Sequence, residues 1–136
     1  MKTLSKILPF IAIIIVVSAC DIVVVDPYDD RVNLTPGSYQ VEEYSQTYEQ
    51  HFQYSVWISH CDDGSHSVYI ENFYNEGLLV KAEIIDRKLY VRRQYVEDYR
   101  VEGVGTITNH SIQMDYSVTD LYSNSPTDFC EATLYW

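Results

Sequence analysis

The stretch SHCDDGSH, residues 59 to 66, gathers two histidines, one cysteine and two aspartates within eight positions. These are the side chains of zinc sites, calcium loops and acid–base pairs. Their spacing argues against each. His60 and Cys61 are adjacent, so on an extended chain they face opposite sides and cannot both approach one ion without distortion. Asp62, Asp63 and Gly64 have the composition of a hairpin turn, in which acids bond their own backbone and glycine takes positive φ. No EF-hand spacing accompanies the aspartates. The stretch reads as a turn, and neither a metal site nor a cofactor is expected.

Nucleophilic hydrolysis has no better footing. There is no G-x-S-x-G elbow, and His51, His60, His66 and His110 fall in or near expected turns. The adjacent acids Glu42-Glu43 and Glu97-Asp98 would point to opposite faces of a strand, whereas paired-carboxylate catalysis needs both on one side of a cleft. No catalytic residue is assigned, and a non-enzymatic protein is expected. Charge is distributed more informatively. Beyond the first 19 residues, six of the seven basic side chains (Lys81, Arg87, Lys88, Arg92, Arg93, Arg100) lie between 81 and 100, leaving Arg31 alone in an otherwise acidic body. On LYVRRQY the odd positions Leu89, Val91 and Tyr95 form an apolar face that includes Arg93. A guanidinium inside a small barrel, with Arg92 beside it, would hold a small anionic ligand bidentately. The competing reading is an arginine at the rim, paired with an acid such as Glu97 or Asp98.

These residues must be carried by strands. From Ser38 onward apolar residues alternate with polar ones, and turn residues punctuate the pattern. Tyr44, Tyr48, Phe52, Tyr54, Val56 and Ile58 share the even positions. A helical reading of Tyr44, Tyr48 and His51/Phe52 competes locally but ends at YSVWIS. SVYIENF puts Val68 and Ile70 on one face and Tyr69, Glu71 and Phe73 on the other. Two more hairpins follow, LLVKAEII with LYVRRQYV and YRVEGVGTIT with SIQMDYSV, before a last strand DFCEATLYW. About eight strands in series predict an all-β antiparallel meander closing into a small barrel, with a flattened sandwich as the alternative. Closure removes the exposed edges of an open sheet. Gly103 and Gly105, two apart on one face, are read as its bend positions.

The compartment comes from the N-terminus. Lys2 and Lys6 precede an apolar run from Ile7 to Val17, too short for a membrane span of about 20 residues and flanked like an export signal. Val17-Ser18-Ala19-Cys20 resembles the lipobox of bacterial lipoproteins, which implies that Cys20 is acylated and becomes the N-terminus. The expected organisation is a leader over 1–19, a lipid anchor and tether over 20–37, and one β-domain over 38–136. Within the tether, Ile22 to Val25 reads equally as an interfacial segment or an edge strand. Losing the leader takes two lysines from a chain of net charge −11 and leaves −13. Nucleic acid is excluded as a partner by that charge, while a basic protein would be attracted. With Cys20 acylated, Cys61 and Cys130 remain as an even pair in an exported protein, and a disulfide is expected. Closing a loop of roughly 70 residues, it would contribute about 4 kcal/mol. The alternative is two separate buried thiols.

The ordered series V-x-I-x-N-F (Val68, Ile70, Asn72, Phe73), V-x-A-x-I (Val80, Ala82, Ile84), V-x-x-Q (Val91, Gln94), V-x-G-x-G-T (Val101 to Thr106) and C-x-A-T (Cys130 to Thr133) resembles small lipocalin-like lipoproteins of Bacteroidetes-type bacteria. Arg92-Arg93 departs from that pattern, where an apolar residue and a proline are expected. The resemblance implies a lipocalin-like barrel anchored in the cell envelope, with the outer membrane as the expected site, and implies no activity. The functional expectation is a binding or accessory subunit of an envelope complex. Alternatives are an inhibitor of a basic envelope-degrading enzyme such as lysozyme or a protease, and a carrier of a small hydrophobic anion.

Overall fold

The computed structural model describes residues 34–62 and 66–136. The leader, Cys20 and the segment Ile22 to Val25 lie outside the described residues, as do Asp63, Gly64 and Ser65 of the opening stretch. Eight strands follow one another: β1 (Gly37–Ser45), β2 (Gln50–His60), β3 (Ser67–Phe73), β4 (Leu78–Ile85), β5 (Lys88–Val96), β6 (Tyr99–Ile107), β7 (Ser111–Asp120) and β8 (Asp128–Tyr135). Each pairs antiparallel with the next, and β8 returns to β1 over Gln40↔Tyr135 to Ser45↔Cys130, closing the barrel. The meander expected from the sequence is therefore the fold, closed rather than flattened into a sandwich.

The interior is filled. Val68, Ile70, Leu78, Val80, Leu89, Val101 and Ile112 are fully buried, and Leu34 closes the end at which the described chain enters β1. Burying each such side chain contributes about 1.5–3 kcal/mol. At the same end Tyr39 donates its hydroxyl to Thr35 O at 2.6 Å and packs edge-on against Trp136.

Two-residue alternation holds within strands and breaks at three places, each with a visible cause. The four-residue turn between Ser45 and Gln50 shifts the phase, so Phe52, Tyr54, Val56 and Ile58 face inward while Tyr44 lies outside, stacked on His51 at 4.6 Å. A bulge between Ile70 and Phe73 places Asn72 in the left-handed region (φ 64) and turns Phe73 into the core. Asn72 Nδ2 donates to Ser55 O at 2.9 Å and its Oδ1 accepts from Gly77 N at 3.0 Å, replacing lost ladder bonds. A second bulge between Val91 and Gln94 turns both Arg92 and Arg93 outward. There the Gln94 amide takes the place of a peptide group: Oε1 accepts from Lys81 N at 3.0 Å and Nε2 donates to Lys81 O at 2.8 Å. Strand β5 pairs with β4 through its own backbone only from Lys88 to Tyr90, so this side chain extends the seam.

Gly103 and Gly105 sit opposite Tyr116 and Met114. A Cβ on Gly103 would lie 2.4 Å from Tyr116 Cβ and 2.7 Å from Asp115 O, so only a residue without Cβ permits this approach of β6 to β7.

The disulfide expectation is overturned. Cys61 follows the end of β2 that faces Gly37, whereas Cys130 pairs with Ser45 at the other end of β1. Eight residues of strand separate these levels, roughly 26 Å at about 3.3 Å per residue, and a bridge needs Cα atoms within about 7 Å. Both cysteines are buried thiols instead. Register decides this, because it sets the heights at which two residues of a meander arrive.

Candidate functional site

The end of the barrel opposite Leu34 is polar inside. Strand β1 turns Tyr39, Val41, Glu43 and Ser45 inward, and β8 turns Asp128, Cys130, Ala132 and Leu134 inward. Glu43, Ser45 and Asp128 are thereby buried, with exposures of 3, 0 and 3 %. Tyr54 from β2 and Tyr116 from β7 both donate their hydroxyls to Glu43 Oε2, and the two phenol oxygens lie 3.4 Å apart. Ser45 Oγ donates to Asp128 Oδ1 at 2.5 Å, and Tyr74 donates to Asp128 Oδ2 at 2.7 Å. Around this pair the β1–β8 seam is laced further by Thr47, which donates to Thr127 O at 2.9 Å and accepts from Phe129 N at 3.1 Å. Every buried side-chain polar atom among the described residues has a partner.

Burial pushes the Glu43 carboxyl above its ordinary value of 4.5; the Tyr116 and Tyr54 hydroxyls pull it partly back, and the nearby Asp128 charge pushes it up again. Burial, reinforced by the Glu43 charge, also holds the Tyr54 and Tyr116 phenols and the Cys130 thiol well above their usual ranges. The cysteine is thus a weak nucleophile here, since the thiolate is the reactive form.

Above this cluster the mouth opens as a cavity of about 110 Å³ lined by Glu43, Phe52, Tyr74, Asn75 and Glu76. The β3–β4 connection shapes it: Tyr74 (φ 60) and Asn75 (φ 55) both take the left-handed conformation, an uncommon one for a bulky tyrosine. The Asp128 hydrogen bond and edge-on contacts with Tyr99 and Tyr116 hold the Tyr74 ring there.

A second concave feature lies outside the wall. Across β2, β1, β8 and β7 runs a groove of about 600 Å³, whose outward-facing side chains include Glu42, Tyr44, His51, Gln53, Asp115 and Glu131. Register makes it acidic, because Asp115 stands directly opposite Glu131, which is itself opposite Tyr44.

Several residues singled out in the sequence stand elsewhere. Arg93 does not enter the lumen; it grips Glu102 from the outer surface through Nε at 3.2 Å and Nη2 at 3.1 Å. Arg92 likewise pairs outside with Glu83 at 2.9 Å. The bulge breaks the alternation on which an inward Arg93 depends, so an anion site inside the barrel is corrected to two exposed ion pairs. Glu97 and Asp98, read as neighbours on a strand, form the two-residue β5–β6 turn, with Glu97 at φ 51. In SHCDDGSH, His60 ends β2 in solvent and Cys61 is buried beside Ser67, whose carbonyl accepts its N–H at 3.1 Å. Among the described residues no group of three or more His, Cys, Asp and Glu is placed to hold a metal ion.

Sequence reasoning missed Glu43, Ser45 and Asp128. The signal was present in GSYQVEEYS, where Glu43 and Ser45 continue the face of Tyr39 and Val41, and in DFCEATLYW, where Asp128 continues the face of Cys130 and Ala132. A polar residue in phase with a core face marks a buried network.

No family model and no curated protein sequence matches the chain. Among solved structures, the barrel is similar to a redesigned beta barrel, at 15 % identity over 74 % of this chain and 90 % of that one, with a TM-score of 0.52. At that identity the likeness concerns the fold alone.

Proposed function

We propose that this chain is a lipid-anchored, non-enzymatic binding module of the bacterial cell envelope that presents the outer groove of its barrel to a basic protein partner. The observation that carries the reading is the groove itself: Glu42, Asp115 and Glu131 converge beside the Tyr44–His51 ring pair on the outside of the barrel wall. A concave acidic surface with an aromatic wall is complementary to a basic protein surface, and the negative charge of the whole chain would speed encounter. The lipobox-like VSAC supports the anchor, and the resemblance to lipocalin-like envelope lipoproteins agrees with it. Inhibition of a basic envelope-degrading enzyme such as lysozyme is a special case of the same reading. Carriage of a small anion loses its support, because Arg92 and Arg93 lie outside and the core is filled.

The test uses lysozyme as the basic probe and the full-length chain in detergent. Binding is expected to weaken with salt, and Glu131→Lys to weaken it by at least about tenfold. Glu71→Lys makes the same charge change on β3, outside the groove, and is expected to cost less than about threefold. Equal effects of the two substitutions would reduce the groove to bulk attraction and defeat the reading.

A further inference from the structure

The mouth of the barrel holds two buried carboxyl groups, Glu43 and Asp128. Each is only 3 % exposed, and among the described residues the side chains that bond them are hydroxyls and the Cys130 thiol, with no Lys, Arg or His. A buried carboxyl group is either kept neutral by a raised pKa or, when ionised, matched by a cation. The outer arginines are committed elsewhere, to Glu83 and Glu102. At Glu43 lies the cavity of about 110 Å³, lined among the described residues by Glu43, Phe52, Tyr74, Asn75 and Glu76, none of them basic. Glu97, Asp98 and Asp120, like Glu76, act electrostatically on Tyr99, whose ring packs against Tyr74, so the approach to the mouth is acidic as well.

We propose that this mouth is a binding site for an alkylammonium group. Glu43, which burial biases toward its protonated form, ionises beside the incoming ammonium and supplies the counter-charge, and the aromatic residues Phe52 and Tyr74 attract an ammonium when desolvated. At about 30 Å³ per water-sized group, the volume admits roughly four heavy atoms, an ammonium head with a few methylenes. Larger ligands are excluded by the packed core beneath. Two sources fit this chemistry: a free small amine, or a lysine side chain that reaches over the barrel rim from a protein covering the outer groove, the two features lying on opposite faces of the wall at Glu43 and Phe52. The first source is independent of the groove reading; the second rests on it.

The probe is n-butylammonium, titrated into the full-length chain in detergent and followed through the aromatic proton resonances of Phe52 and Tyr74. Saturable shifts are expected, with the midpoint raised at least about tenfold in Glu43→Gln and about threefold in Phe52→Ala. Phe52 is 39 % exposed, so its truncation leaves the core intact and serves if the buried substitution impairs folding. Shifts that never saturate, or that saturate at the same midpoint in every folded variant, overturn the proposal. Competition between butylammonium and lysozyme identifies a protein lysine as occupant, while saturation without competition identifies a free amine. If the groove reading alone fails, lysozyme does not bind and the amine still saturates.

Discussion

Gly103→Ala is expected to be among the most damaging single-methyl changes in this protein. The added Cβ would meet Tyr116 Cβ at 2.4 Å, Asp115 O at 2.7 Å and Tyr116 Cα at 2.8 Å, against an optimum near 3.5–4.0 Å. Two of those atoms belong to the main chain and the third is a Cβ, so no rotamer change relieves the overlap. The β6–β7 seam must widen by about 1 Å, which costs about 2–3 kcal/mol of overpacking. Stretching one ladder bond beyond its useful range adds about 1 kcal/mol. Reduced freedom of the unfolded chain returns about 0.4–1 kcal/mol. The net destabilisation is about 3 kcal/mol, or roughly 12–24 °C in Tm for a domain of roughly 100 residues. Tyr116 also carries the hydrogen bond to Glu43 and the contact with Phe73 at 4.6 Å, so the polar cluster is disturbed with the seam. Gly105→Ala is the internal control. Its nearest neighbour is Met114 Cγ at 2.9 Å, on a flexible side chain that can yield, and the expected cost is about 0–1 kcal/mol. Urea unfolding of the two variants measures the contrast, and equal midpoints for them would refute the reasoning.

Three further outcomes follow from the same geometry. Glu43 keeps its proton to higher pH in the barrel than in the unfolded chain, where it ionises near 4.5; its contribution therefore falls as pH rises through 4.5 toward the folded value. Glu43→Gln should gain stability relative to the parent between pH 4 and pH 7 in urea melts, and a pH-independent difference would contradict the assignment. Gln94→Ala removes the two bonds to the Lys81 main chain and should cost about 1–2 kcal/mol, with faster exchange of the Lys81 amide; unaltered exchange would count against the bridging role. Since Cys61 and Cys130 sit at opposite ends of β1, reductant should leave Tm unchanged, and mass spectrometry of the alkylated, unfolded chain should find both thiols modified without prior reduction. A reductant-dependent mass would refute that placement.

The sequence by itself determined the strand count, the serial hairpins and the inward faces of β4 and β7, because strand alternation and turn residues are local signals read within a few positions. It also singled out Gly103 and Gly105, but as bend positions; that they mark a close approach of β6 to β7 came from the structure. It did not determine phase across an irregularity. One extra residue at Val91–Gln94 sends Arg93 outward, and one at Ile70–Phe73 sends Phe73 inward, since a period of two inverts every assignment beyond an insertion. Nor did it determine which distant residues share a level. The β1–β8 register alone brings Glu43 and Ser45 to Asp128 and Cys130 while holding Cys61 a barrel length away. Those heights accumulate over every pairing around the closed sheet, so only the tertiary structure decided that a polar mouth exists and that no bridge spans the two buried thiols.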